Sequence, residues 1–431
     1  MKNEIAVIGA GSTGLFTALD LKLRGFEVSL FDRSVAGSGT SGKFHGLLHS
    51  GARYAVTDSS AAIECRTESS ILKRIADHCI VDTGGLFVAL SKQDTEYGEE
   101  LRNSLSSCSI VHRSLDSDET IKAEPKLSPD VIESIAVPDA VLLGSDFLAS
   151  LALSCIEAGV RYLPFMELQS AEVLKNEIHS LTFRKTIGGN TQTEKTDFVV
   201  NATGPWTART SEMLGAKINI MPVAGTMLVL RDKYTSCVIN RMRKPSDGDI
   251  IVPYGLHSIL GTTAALIEDP DNVSVDDIDK EILIEEAAAM IPSIAASSTI
   301  RTYSSARPLI MNDQSSSEMT RSVTRDFIVR AGEETGVRNL TVVSGGKMTT
   351  SRLAGESAAN ITSLILGRKT GSRTASFYLT DVHSISGMNT SQSRNTEKMK
   401  AAIAALKGGI DDEREQSAIM LASLNDDLRR K

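Results

Sequence analysis

Gly9, Gly11 and Gly14 stand at the spacing of a phosphate-binding turn, and Asp32 follows at the distance, about 20 residues, where a carboxylate hydrogen-bonds a ribose. The chemistry such a set can do is to hold a dinucleotide. One glycine permits the tight turn, one lets backbone approach a pyrophosphate, and one lets a helix lie close on a strand. The phosphates then meet a helix N-terminus, whose N–H groups and partial positive charge favour an anion. Ser12 and Thr13 lie inside this turn and Arg33 just beyond the acid, so all three join the glycines and Asp32 as candidate cofactor contacts.

These residues work only if particular elements carry them. The apolar run Ile5 to Ile8 predicts a buried strand, Leu15 to Arg24 a helix stopped by Gly25, and Glu27-Val-Ser-Leu-Phe-Asp32 a second strand ending in the acid. That context separates the motif from an incidental glycine turn. It leaves NAD and FAD both open, since both use the same turn.

After Asp32 the chain is rich in small residues, Ser34-Val-Ala-Gly-Ser-Gly-Thr-Ser-Gly42, and continues as Lys43-Phe-His-Gly-Leu-Leu-His-Ser-Gly-Ala-Arg-Tyr54. Such a loop lacks side chains to pack a core and suits the approach of a flat or phosphorylated ligand to backbone. Thr57 to His78 has helical spacing, with Ile63, Ile71, Leu72 and Ile75 as its apolar stripe. From Asp82 the pattern changes to short strands (Gly85 to Leu90, Ile135 to Val141) around a polar helix near Asp94 to Ser107. A helix from Asp146 to Ala158 and a strand from Asp197 to Gly204 restore the α/β pattern. Strands at Thr226 to Leu230, Ile250 to Pro253 and Ser258 to Gly261, with a helix around Ile278 to Met290, predict a mainly antiparallel sheet. Leu340 to Ser344 then runs into Gly345-Gly-Lys347 and a helix reaching about Leu366, and two charged helices, Thr396 to Leu406 and Asp411 to Leu424, follow. A solvated appendage and a partner-binding unit are both open readings of those last helices.

Composition excludes several classes. With 41% hydrophobic and 23% charged residues the 431-residue chain is long enough for two or three globular domains, and a net charge of -8 argues against nucleic acid as a partner. No stretch approaches the length of a membrane span, and Met1-Lys-Asn-Glu leads directly into the first strand, so an intracellular, cytoplasmic protein is expected. The five cysteines form no CxxC pair, which predicts reduced, mostly buried thiols and no metal site.

Several separated motifs agree in order with one family. The Gly9 to Gly14 turn, His45-Gly-Leu-Leu-His-Ser-Gly-Ala-Arg-Tyr54, Ala306-Arg-Pro308, Val323-Thr-Arg-Asp326 and Gly345-Gly-Lys-Met-Thr-Thr-Ser-Arg352 resemble FAD-dependent glycerol-3-phosphate dehydrogenase, of the D-amino-acid oxidase-like flavoproteins. Ala52 to Asp58 and Ile239 to Asp249 resemble the catalytic subunit of its anaerobic bacterial and archaeal type, and the likeness runs from residue 1 to about 370. It implies an α/β chain with a Rossmann-like, discontinuous FAD-binding domain (1–80, 142–218 and 320–371), an inserted, mainly antiparallel β-sheet substrate domain (81–141 and 219–319) and a small C-terminal helical extension (372–431).

The resemblance further implies oxidation of sn-glycerol 3-phosphate to dihydroxyacetone phosphate by hydride transfer to flavin N5. Arginine suits a phosphate dianion because its planar fork donates two hydrogen bonds. The family's substrate residues fall on Arg53, Tyr54, Arg307, Arg325 and Lys347, although Arg325 also has Asp326 and Arg321 as neighbours for a solvated pair. Lys347 is assigned electrostatic help to the reduced ring, Arg307 a catalytic as well as a binding role, and His49 the part of general base. A structural histidine bonded to backbone remains the alternative for His49, because Ala224-Gly-Thr-Met227 has no histidine where aerobic relatives carry one.

Flavin contacts are expected from Thr40, Ser41, His45, Gly46 and Leu47, from Ala202, Thr203, Gly204 and Trp206, and from Gly345, Gly346, Lys347, Met348, Thr349 and Thr350. Trp206 alone would read as core. His45 raises a covalent link, for which the resemblance gives no support, so noncovalent FAD is expected. Anaerobic relatives usually continue into a cysteine-rich iron-sulfur domain, whereas no cysteine follows Cys237 here. Electrons are then expected to leave by a quinone, a partner protein or oxygen, with a partner as anchor at the inner membrane face and a homodimer as the base-rate assembly. The rival functions are a flavin oxidoreductase of a 2-hydroxy acid or amino acid, and a flavin-binding subunit without turnover.

Overall fold

Ile5-Ala-Val-Ile8 and Phe198-Val-Val-Asn201 lack polar alternation, as strands covered on both faces must. In the computed structural model, which describes residues 3–310, 326–387 and 404, they pair in parallel at the centre of a six-stranded sheet. Its order is Phe327–Ala331, Leu340–Gly345, Phe198–Asn201, Glu4–Ile8, Glu27–Phe31, Arg161–Leu163, parallel throughout except for the edge strand Phe327–Ala331. Alternate residues of each strand enter two cores, as the pleat requires. Ile5 and Val7 pack with Phe16, Phe147, Leu151 and Ala358 of the helices Ser12–Leu23, Gly144–Glu157 and Ser351–Ile365. Ala6 and Ile8 pack on the opposite face with Leu168, Leu181 and Phe183.

That opposite face is covered by a three-stranded antiparallel meander, Met166–Leu174, Glu177–Lys185 and Thr191–Lys195, which the sequence reading did not contain. Phe183 of the meander stacks on Phe31 at 4.3 Å between ring centroids, 12° from parallel. The pair fixes the end of the strand that leads to Asp32.

A second, nine-stranded sheet draws on two separated parts of the chain. Arg113–Asp116, Glu133–Val137 and Gly85–Ala89 come from the first, and Gly85–Ala89 joins Val238–Arg241 of the second by a parallel pairing. Ile250–Tyr254, His257–Gly261 and Ile220–Leu230 continue it antiparallel. Ile220–Leu230 also pairs along its whole length with Thr299–Ile310, and this register sets Val223 opposite Arg307. The expected architecture, a Rossmann-like α/β sheet interrupted by a mainly antiparallel one, is the one the chain adopts. The expected helices Thr396 to Leu406 and Asp411 to Leu424 lie outside the described residues apart from Ala404.

A buried ion pair ties the helix after Gly345 to the helix after Tyr54. Arg352 donates from Nε and Nη2 to the two oxygens of Glu68, at 2.8 and 2.6 Å, both residues being almost fully buried. It also donates to Thr374 Oγ1 at 3.0 Å and to Glu356. Such a pair is weak evidence for net stability, but it fixes how the two helices, and the loops that enter them, sit together.

Candidate active site

The turn after strand Glu4–Ile8 is built of backbone in contact with backbone. Gly9 has φ +102°, and a Cβ there would lie 2.6 Å from the Ala202 carbonyl oxygen. A Cβ on Gly14 would lie 1.8 Å from the Gly9 carbonyl oxygen, so helix Ser12–Leu23 can lie on its strand only with glycine there. Ser41 Oγ accepts from Ser12 N–H at 3.0 Å, and Thr40 Oγ1 donates to Ala306 O at 2.5 Å. These two contacts seat the small-residue loop between the helix start and the second sheet.

Asp32 ends strand Glu27–Phe31, and its carboxylate accepts from Ala10 N–H at 2.7 Å and Ser34 N–H at 2.9 Å. Burial pushes its carboxyl up to about 6, against the opposing pull of those amides and of the Arg33 charge. Near neutral pH it is mostly ionised and still able to accept a ribose hydroxyl.

A cavity of about 620 Å³ runs over this turn, and both sheets contribute to its lining. Of the residues expected at a cofactor, Gly9, Gly11, Ser12, Thr13, Asp32, Arg33, Thr40, Ser41, His45 and Leu47 line it. So do Ala202, Thr203, Gly204, Trp206, Gly345, Gly346, Lys347, Met348 and Thr349. Gly14, Gly46 and Thr350 do not. Gly14 is under the turn, Gly46 faces the Tyr254 ring, and the Thr350 hydroxyl accepts from Lys347 N–H at 3.2 Å.

The side chains expected to act on substrate separate in the same way. His49, Tyr54, Arg307 and Lys347 line the cavity. His49 is buried, its ring 5.3 Å from that of Tyr54 and 5.9 Å from that of His45, and its backbone N–H donates to Thr349 Oγ1 at 3.2 Å. Lys347 Nζ stands 4.6 Å from the centroid of the Tyr54 ring, within the range of a cation-π contact. Arg307 Nη2 donates to Thr263 O at 2.7 Å and Ala224 O at 3.4 Å.

Arg53, expected at the phosphate, does not line the cavity. It is 7% exposed and donates from Nη2 to Asp249 Oδ2 at 3.1 Å, while the other carboxylate oxygen takes Arg243 at 2.8 Å. The fully buried Asp249 carboxylate holds the guanidinium in the interior. Arg325 lies outside the described residues.

Sequence reasoning missed Gly225, Thr262 and Asp271 in the lining. A Cβ on Gly225 would lie 2.4 Å from Thr262 Oγ1 and 2.8 Å from Arg307 Nη2, and a lone glycine inside a strand pattern was the available signal of such a close approach. Asp271 carried no local signal at all. Among the described residues no group of three or more His, Cys, Asp or Glu side chains is arranged to hold a metal ion. Cys65, Cys79, Cys108 and Cys155 are buried thiols, and burial pushes that of Cys65 up to about 12.

Strand, glycine turn, helix and terminal acid, facing a second strand end of small residues, define a dinucleotide-binding oxidoreductase fold. The chain belongs to the FAD dependent oxidoreductase family, whose sequence profile matches residues 4–361. FAD fits the cradle: the Cβ-free turn leaves backbone exposed to a pyrophosphate, and the ionised Asp32 suits a ribose.

The chain is 33% identical over 382 residues to a subunit of the anaerobic glycerol-3-phosphate dehydrogenase of Haloferax volcanii, covering 86% of this chain and 65% of that protein. Against the corresponding subunit of the Escherichia coli K12 enzyme it is 34% identical over 382 residues, covering 88% of this chain and 70% of that protein. It thus spans about two thirds of the length of these relatives. The crystal structure of glycerol-3-phosphate dehydrogenase from Bacillus halodurans complexed with FAD has the same fold, with a TM-score of 0.67 at 20% identity, over 99% of this chain and 77% of that one.

Proposed function

We propose that this chain oxidises sn-glycerol 3-phosphate to dihydroxyacetone phosphate and passes the electrons to a quinone or a partner protein. The observation that carries this reading is that Arg307 and Lys347 line the same cavity as His49 and the Gly345-Gly346 turn. Two fixed cations suit a phosphate dianion, and the relatives named above support the same substrate. FAD, when bound, supplies the acceptor for the hydride that leaves C2 of the alcohol.

In this reading Arg307 grips the phosphate, its fork steadied by the carbonyl oxygens of Thr263 and Ala224. His49 takes the hydroxyl proton as the C2–H bond breaks, which balances the oxidation. Lys347 offsets the negative charge that accumulates beside it. Arg325 adds a further cation, and Arg53 supports the Tyr54 turn from behind through Asp249 rather than by direct contact. Segments 1–80, 142–218 and 320–371 hold the cofactor noncovalently, and 81–141 and 219–319 shape the substrate side.

No helix among the described residues is long and apolar enough to cross a membrane. Both relatives carry the word subunit in their names, which favours a partner protein as the route to a quinone and to peripheral attachment at the inner membrane face. The chain itself we read as a cytoplasmic homodimer.

Anaerobic mixing of the FAD-loaded protein with sn-glycerol 3-phosphate tests the core of this proposal. The visible flavin absorbance is expected to bleach, and glycerol, glycine and a 2-hydroxy acid are expected to leave it unchanged. Bleaching by a phosphate-free compound as fast as by glycerol 3-phosphate would overturn the substrate assignment.

A further inference from the structure

Asp269-Pro270-Asp271-Asn272 lies between strand Ala265–Leu266, at the margin of the second sheet, and helix Asp277–Met290. The turn is closed on itself, Asp271 N–H donating to Asp269 Oδ1 at 3.0 Å and Asn272 N–H to Asp269 O at 3.2 Å. The Asp271 carboxylate therefore faces outward from a preformed turn. It accepts from three donors that belong to the nucleotide half of the molecule. Arg33 Nη2 and Trp206 Nε1 reach Oδ1 at 2.7 and 2.8 Å, and Arg209 Nη1 reaches Oδ2 at 3.2 Å.

The donors are themselves linked to the cradle. Arg33 follows Asp32 directly, and its guanidinium lies 4.3 Å from the centroid of the Trp206 ring. Trp206 in turn packs over Gly39 of the small-residue loop, where an added Cβ would lie 3.3 Å from the indole. Arg33, Trp206, Arg209 and Asp271 line the cavity together with Asp32 and the Gly9 to Thr13 turn. Burial alone would raise the Asp271 carboxyl, but Arg33, Trp206 and Arg209 more than offset this and hold it below the usual carboxylate range.

We propose that Asp271 is a latch for the bound dinucleotide: its contact with Arg33, Trp206 and Arg209 draws a loop of the antiparallel sheet across the nucleotide part of the cavity, and the cofactor leaves only once this contact opens. The inference rests on FAD occupying that cavity and is independent of which substrate the enzyme oxidises. The ion pairs are only partly shielded, with side-chain exposures of 40% for Arg33, 33% for Asp271 and 61% for Arg209, so dissolved salt weakens them. The latch thus governs the rate of cofactor exchange, in a salt-dependent way.

The test uses the FAD-loaded full chain and follows release of FAD into buffer by the rise of free-flavin fluorescence. At low salt Asp271→Ala is expected to release FAD about tenfold faster than the parent, since several exposed pairs are lost together. Asp271→Asn, which keeps the size of the side chain, is expected to fall between them, and Arg209→Gln covers the case in which a change at 271 disturbs the turn. Added sodium chloride is expected to speed release from the parent toward the Asp271→Ala rate while leaving the variant's rate nearly constant. Release from all three variants within twofold of the parent, or equal salt sensitivity of parent and Asp271→Ala, overturns the latch. Because no glycerol 3-phosphate is present, neither outcome bears on the substrate assignment.

Discussion

The two portions of the cavity are made in different ways. The turn at the heart of the nucleotide cradle comes from one short stretch, Gly9 to Asp32, set against the Ala202 strand end, and its close contacts are between backbone atoms, such as the 1.8 Å that a Gly14 Cβ would leave to Gly9 O. The side we propose for the substrate gathers His49, Tyr54, Arg307 and Lys347 from distant segments and from both sheets, and side chains do the contacting. Backbone in contact with backbone has no room to yield, whereas a side-chain site can lose a member and keep its shape. Changes in the cradle should therefore remove the cofactor. Changes on the substrate side should remove turnover and leave the cofactor in place.

Gly14→Ala presses hardest on that contrast. The methyl group would meet the Gly9 carbonyl at 1.8 Å and the Ala202 Cβ at 3.3 Å, neither able to swing aside, which is overpacking at its upper range. Affinity of the apo protein for FAD is expected to fall at least about 10²-fold, so that the purified variant carries little flavin. Titration of apo protein with FAD measures this directly. An unchanged affinity would mean that the helix can shift off its strand, and the contrast would collapse.

Arg307→Ala tests the other side. With FAD content unchanged, kcat/KM for glycerol 3-phosphate is expected to drop about 10²-fold, the size of one lost hydrogen-bonded charge. Gly225→Ala is a milder version, because its Cβ would stand 2.4 Å from Thr262 Oγ1, 2.8 Å from Arg307 Nη2 and 2.9 Å from Thr263 O, so the guanidinium is displaced together with its acceptor rather than removed. A loss of about tenfold, mostly in KM, is expected from that displacement. Loss of flavin from either variant would show that the two portions are mechanically one.

The same contrast explains what could be read from sequence. The cradle was legible because strand, turn, helix and acid are contiguous, and each residue's role follows from local geometry. The continuous apolar strands likewise announced a sheet covered on both faces. The meander over residues 166–195 left little local mark, since its turn, Lys175-Asn176, carries no glycine. Lys175 and Asn176 both have positive φ, 51° and 63°, which is the conformation of a two-residue hairpin turn between antiparallel strands. Arg53 shows a different limit. Its type suits a phosphate, but Asp249, 196 residues away, meets it in the interior, and only the folded chain brings the two together. Asp271 is the extreme case, since its three donors come from strand ends and a helix remote in sequence, and no periodicity or motif marks the residue.

Asp32 belongs to the cradle yet acts through a side chain, so it gives the smallest and finest test of the comparison. Its carboxyl is raised to about 6 by burial, above the ordinary value of 3.8 that holds in the unfolded chain. In the apo protein the folded state therefore binds this proton more tightly than the unfolded state does. Its contribution to stability is fully present below about pH 4 and is lost as pH rises through about 6. Cofactor binding has the opposite sign, because a protonated Asp32 is a poorer acceptor for a ribose hydroxyl. Between pH 7 and pH 5 the apo protein should thus gain stability, relative to Asp32→Asn, while its affinity for FAD falls by about threefold to tenfold. Parallel urea unfolding and FAD titration of both proteins across this range separate the two trends. If stability and affinity moved together in the parent, the charge on Asp32 would not be what the ribose meets, and the cradle would hold its ligand by backbone alone.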